Sequence, residues 1–169
     1  MQIRAARDSD GPAILEIILP VIRAGATYSL DPDMSATAAL AYWLSSDKET
    51  FVAEEDDVIV GTYFIRPNQA GGGRHVCNCG YMTRATAVGR GVARTMCQHS
   101  LAYARERGYR AMQFNFVVST NERAVRLWQS LGFEIVGRLP AAFRHPAHGY
   151  VDVLVMYQHL HGGAPPSTD

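Results

Sequence analysis

Three cysteines are too few, and odd in number, for a disulfide framework, and the pair in Cys77-Asn78-Cys79 does not extend to a four-ligand zinc site. Cys77, Cys79 and Cys97 read instead as small core residues, free thiols in a reducing compartment. Charge of one sign is also lacking: 16 basic residues balance 16 acidic ones. That balance gives no electrostatic ground for nucleic acid or an anionic membrane surface as partner, and points to a small molecule. No apolar run approaches the roughly twenty residues that cross a bilayer, and Met1-Gln2-Ile3-Arg4 has no apolar signal core, so the expected compartment is the cytoplasm. His145 and His148 flank Pro146 with no third ligand in view; they read as surface residues, and no metal is expected.

At 169 residues the chain is sized for one domain with a real core, placed at 1–161, followed by a disordered tail, 162–169, rich in Gly and Pro. Residues 2–6 alternate as a strand, and Asp8-Ser9-Asp10 offers a cap for a helix that Pro20 kinks or ends. A loop through Tyr28 leads to a short helix from Ser35 to Leu44. Phe51–Glu54 and Val58–Arg66 form a hairpin about an acidic turn. After a glycine-bearing loop, strands at His75–Arg84, Ala111–Val118, Glu134–Leu139 and Tyr150–Tyr157 alternate with helices at Gly91–Arg107 and Asn121–Leu131, and a loop bearing Pro and His joins the last two strands. This order predicts a mixed α/β sheet with helices on both faces and function at the strand ends.

Two motifs sharpen that expectation. Val88-Gly89-Arg90-Gly91-Val92-Ala93 stands between a strand and a helix; its small residues let the backbone approach a ligand, and a helix beginning there leaves amide N–H groups unpaired at the positive end of its dipole. Such a seat fits a pyrophosphate. Downstream comes Asn121-x-x-Ala124-x-x-Leu127-Trp128-x-x-Leu131-Gly132-Phe133, a capped helix closed by glycine and followed by a strand.

Together these motifs resemble the GNAT superfamily of acetyl-CoA-dependent N-acetyltransferases, over about residues 2 to 160. Phe64-Ile65-Arg66-Pro67-Asn68, His75 to Tyr81, Phe114-Asn115-Phe116-Val117 and Arg126 to Phe133 are similar to the branch that acetylates L-azetidine-2-carboxylate. The resemblance implies a mostly antiparallel sheet of about seven strands with a splayed central pair, flanked by about four helices. It implies acetyl-CoA as cosubstrate, its pantetheine on the backbone near Tyr81, Met82 and Thr83. The pyrophosphate would lie over Val88, Gly89, Arg90, Gly91, Val92, Ala93 and Arg94, with both arginines adding charge. Many such relatives are dimers, so the resemblance implies a homodimer. The chain departs from the superfamily pattern at Val88, where Gln or Arg is common, and at Trp128, where many members have a tyrosine acid. The second departure removes the usual proton donor, although a thiol of reference pKa about 8.5 leaves tolerably as thiolate near neutral pH.

Acetyl transfer needs a neutral amine held against a thioester carbonyl, a donor for the oxyanion and a path for the amine proton. Asn78 is expected to hold the acceptor's carboxylate. Asn115 interrupts an apolar strand, where an unpaired amide is costly; it is assigned to orienting substrate or a proton-carrying water. Asn121 is assigned to the thioester region as well as the helix cap. His75 is the histidine nearest the expected gap and could serve as base. Phe64, Trp128, Tyr28 and Trp43 are candidate walls of the acceptor pocket. The acceptor would be a small amino or imino acid such as a proline analogue. Another small amine (polyamine, antibiotic, peptide N-terminus) and a non-catalytic acyl-CoA sensor stand as alternatives.

Overall fold

The computed structural model describes residues 1–161; the tail expected at 162–169 lies outside the described residues. Strand β1 (Gln2–Ala5) pairs antiparallel with β2 (Glu49–Glu55), which turns into β3 (Val58–Pro67). The turn residues Asp56 and Asp57 take φ of 50° and 61°, the left-handed geometry whose twist suits a tight hairpin. β3 pairs antiparallel with β4 (Val76–Thr83), β4 meets β5 (Ala111–Val118) in parallel, and β5 pairs antiparallel with β7 (Gly149–His159), itself the partner of β6 (Glu134–His145). The seven strands run in the order β1-β2-β3-β4-β5-β7-β6. The expected fold class is therefore the observed one.

Four α-helices cover the sheet: α1 (Gly11–Ala24) and α2 (Ala36–Trp43) on one face, α3 (Val92–Glu106) and α4 (Glu122–Ser130) on the other. Strand parity divides the core accordingly. Tyr63, Ile65, Cys77, Cys79, Met112 and Phe114 pack under α3 and α4, while Val52, Phe64 and Met82 pack under Ile14, Ile17, Ile18, Ile22 and Trp43 of α1 and α2. All three cysteines are buried and free, as their spacing suggested.

Three local expectations change. α1 runs on through Pro20 to Ala24, because the proline ring sits on the exposed side while Ile14, Ile17, Ile18 and Ile22 hold the other side against the sheet. Asp10 does not cap α1 with its side chain; its carboxylate accepts from Arg4 at 2.7 and 3.1 Å and from the Arg7 amide at 2.7 Å, after a 3₁₀ turn over Asp8–Asp10. The loop expected between the last strands is mostly strand: β6 extends to His145, with register shifts at Ile135/Gly137 and Leu139/Phe143 that hide it from a period-two reading. The α2 cap is as read, Ser35 Oγ accepting from the Ala38 amide at 3.1 Å. Among the described residues no helix is long and apolar enough to cross a membrane.

Candidate active site

The central strands part almost as soon as they meet. β4 and β5 pair only at Val76↔Ala111 and Cys77↔Met112. Beyond that point the Asn78 side chain crosses the opening, its Nδ2 donating to the Gln113 carbonyl at 2.8 Å, so an amide side chain replaces a backbone ladder bond. Further along, on the α3–α4 face, Trp128 packs against the Tyr81 and Phe114 side chains of the two parted strands, with ring centroids 5.2 and 5.3 Å away. A cleft of about 630 Å³ occupies the opening.

One end of the cleft lies at the start of α3. Gly91 is its N-cap, at φ 82°, a left-handed conformation that glycine adopts without strain. Among the described residues the amides of Gly89, Gly91, Val92, Ala93 and Arg94 have no hydrogen-bond partner, whereas Val88 N and Arg90 N bond back to Ala85 O and Ala87 O at 3.4 and 3.3 Å. Val88, Gly89, Gly91, Val92, Ala93 and Arg94 line the cleft. Unpaired amides at a helix start form a partly positive nest for an anion. Arg123 stands beside them, its Nη2 3.5 Å from where a Cβ on Gly89 would lie.

The other end opens on the α1–α2 face of the sheet. Asn78 and Phe64 line it, with Arg66, Tyr42 and Tyr28. Gly80 makes room: a Cβ there would meet the Phe64 ring at 2.7 Å. Tyr28 Oη donates to the Tyr81 carbonyl at 3.0 Å, and burial raises the Tyr28 pKa, so this hydroxyl stays protonated. Asn115 also lines the cleft, held by a short amide chain: Gln113 Nε2 donates to its Oδ1 at 2.8 Å, and its Nδ2 donates to Asn68 Oδ1 at 2.6 Å. Asn121 caps α4, its Oδ1 accepting from the Ala124 amide at 3.4 Å, and reaches the cleft from the α3–α4 side.

Tyr81, Met82 and Thr83 line the middle, where Tyr81 Oη shares a 2.7 Å bond with Ser100 and burial drives its pKa well up. Burial likewise pushes up the Cys79 and Cys97 thiols, the latter to about 12. No Asp, Glu, His or Lys lines the cleft, so the described residues offer no general base there.

The structure therefore gathers most of the expected residues and leaves out three. His75 precedes β4, is exposed, and turns its Nδ1 to the Gly72 carbonyl at 3.0 Å; the glycine-rich turn holds it off the cleft. Arg90 points away to pair with Glu55. Trp43 is fully buried between α1 and the sheet, its indole N–H given to Thr62 Oγ1 at 2.9 Å. Trp128 does line the cleft, but from the α3–α4 face, across the sheet from Asn78. Arg66, Asn68 and Arg123 are additions. Arg66 and Asn68 belong to the stretch that carries the resemblance, yet only the register with β4 and the bond to Asn115 mark them as site residues. His145 and His148 lie at the β6–β7 turn with rings 4.5 Å apart, outside the cleft.

The sheet is thus opened at its centre, with an amide nest on one side and a polar recess on the other. Residues 19–133 match the model of the acetyltransferase (GNAT) family. The chain belongs to this family. Over 94% of its length it superposes on 96% of a GCN5-related N-acetyltransferase from Kribbella flavida, with 43% identity and a TM-score of 0.90. A phosphinothricin acetyltransferase from Sinorhizobium meliloti, solved with acetyl-CoA, shares the fold at TM-score 0.83 and 18% identity, over 99% of this chain and 91% of that one. The N-acetyltransferase aca1 of Schizosaccharomyces pombe is 32% identical over 103 residues, 60% of this chain. The chain spans about half the length of that curated relative, 49%.

Proposed function

We propose that the protein transfers the acetyl group of acetyl-CoA to the amine of a small amino- or imino-acid-like acceptor, by direct attack in a ternary complex. The observation that carries this reading is the opening between β4 and β5, which pair at two positions only. Acetyl-CoA would enter from the α3 side, its diphosphate on the amides of Gly89 and Gly91 to Arg94, its pantetheine beside Tyr81 to Thr83. The acceptor would enter from the other face against Phe64, Asn78 and Asn115. Such placement supplies most of the rate by proximity and orientation.

In the transfer the neutral amine nitrogen attacks the thioester carbon, the C–S bond breaks, and coenzyme A departs as thiolate. Neither Asn115 nor Asn121 can act as a base. The amine proton leaves through water, which Asn115 orients from its fixed position between Gln113 and Asn68. Asn121 steadies the thioester end. With no Tyr at position 128, the thiolate takes its proton from solvent.

Purified protein, acetyl-CoA and a panel of amino acids, with L-azetidine-2-carboxylate first, test this through release of free thiol. Turnover on an amino or imino acid is the expected result. Tight coenzyme A binding with no turnover on any amine would support an acyl-CoA sensor instead.

A further inference from the structure

The acceptor end of the cleft carries one cation that neither acetyl-CoA nor the amide set accounts for. Arg66 is paired in register with Asn78 across β3 and β4, so both side chains leave the same face of the sheet, and both line the cleft. Among the described residues its guanidinium makes one hydrogen bond, from Nη1 to Asp47 Oδ2 at 3.0 Å. Nε is buried without a partner, and Nη2 is left free of any protein acceptor. Asp47 is 55% exposed and Arg66 35%, so solvent screens the pair; it steadies one edge of the guanidinium without consuming the other.

Among the described residues the cleft is lined by three cations, Arg66, Arg94 and Arg123, and by no anion. Arg94 is in the first turn of α3 and Arg123 lies beside Gly89, so the cofactor's phosphates answer both. Arg66 lies on the opposite face of the sheet, lining the cleft together with Tyr42, Phe64 and Asn78, while Lys48 Nζ, which does not line it, sits over the Tyr42 and Phe64 rings at 3.6 and 4.9 Å. A cation in partly apolar surroundings, with an open donor, selects an anion that accepts a charge-assisted bond. Among the described residues no carboxylate lines the cleft to receive a cationic acceptor.

We infer that Arg66 anchors the acceptor through a free carboxylate, Nη2 donating to one of its oxygens while Asn78 Nδ2 offers its second N–H, with Asp47 positioning the guanidinium from behind. This rests on the acetyltransferase reading above and narrows its acceptor to α-amino or α-imino acids with an ionised carboxylate. Their amides, their esters and polyamines would be poor substrates.

The test compares each acceptor of the panel, L-azetidine-2-carboxylate and the proteinogenic amino acids, with its own carboxamide, by kcat/KM at saturating acetyl-CoA. The wild-type protein should prefer the acid by about tenfold or more, the scale of one charge-assisted bond. Arg66→Met should erase most of that preference, chiefly through KM for the acid, and Arg66→Lys should restore part of it. Acetyl-CoA affinity by calorimetry reports whether each variant is folded, and Arg66→Lys carries the test alone where Arg66→Met does not fold. A wild-type enzyme that acetylates amino acids but whose preference is untouched by either variant would overturn the role of Arg66 and leave the acetyltransferase reading standing. A wild-type enzyme that binds acetyl-CoA yet acetylates none of the panel would overturn the acceptor reading itself, and Arg66's role with it.

Discussion

The two ends of the cleft are built from different materials. At the α3 end the free polar groups are backbone amides, presented by a glycine at φ 82° and aligned by a helix. At the acceptor end they are side chains, Asn78, Asn115 and Arg66, brought together from β3, β4 and β5. A backbone nest depends on a short contiguous stretch and suits a ligand part common to every reaction of its class. A side-chain recess depends on strand register, and its chemistry changes with single residues. Under the proposed function, this difference would place cofactor choice in the fold and acceptor choice in the residues lining one face of the sheet.

The comparison breaks most sharply at Gly91. Gly91→Glu puts a carboxylate in the nest and a side chain at a left-handed position, and should weaken acetyl-CoA binding by at least about a hundredfold in calorimetry. Gly91→Ala isolates the backbone strain and should cost far less; equal losses in the two variants would mean that no anion binds there. Next comes the ring that packs over the parted strands: Trp128→Ala should lower stability by about 3–5 kcal/mol in denaturant unfolding, since the buried ring packs on both Tyr81 and Phe114. At the acceptor end, Asn78→Ala should raise acceptor KM by about tenfold while acetyl-CoA affinity holds, because only the recess is altered. An equal loss of cofactor affinity would show that the Asn78 bond to Gln113 sets the width of the whole gap.

The smallest effect lies outside both ends and serves as their control. Arg4 holds the Asp10 carboxyl below its ordinary value through a 2.7 Å bond, aided by the Arg7 amide. A depressed folded-state pKa contributes stability that is present above the ordinary value of about 4 and lost as pH falls through the folded one. Asp10→Asn should therefore cost about 1–2 kcal/mol at pH 7, less at strongly acid pH, with both ligand affinities unchanged. Urea unfolding at the two pH values reads this directly.

The same contrast explains what could be read before the fold was known. The α3 nest was legible because Val88 to Ala93 is contiguous and its glycines have a local reason. The strands and helices followed from periodicity, apart from β6, where two register shifts broke the alternation, and α1, where an exposed Pro20 removed one bond without ending the helix. Arg66 and Asn68 were not legible as site residues, since nothing in Phe64 to Asn68 says which side chains turn toward the cleft; the β3–β4 register and a 2.6 Å bond to Asn115 decide it. His75 misled for the converse reason. Its nearness in sequence to the gap counts for less than its hydrogen bond to Gly72, which turns it outward.

Everything in the functional reading depends on acetyl-CoA lying through the opening of the sheet, and a crystal structure of the protein with acetyl-CoA tests that most directly. The account predicts diphosphate oxygens within hydrogen-bond distance of the amides at Gly89 and Gly91 to Arg94, with the thioester between β4 and β5 in reach of Asn115. A diphosphate bound elsewhere, or β4 and β5 paired along their whole length around a displaced cofactor, would contradict it.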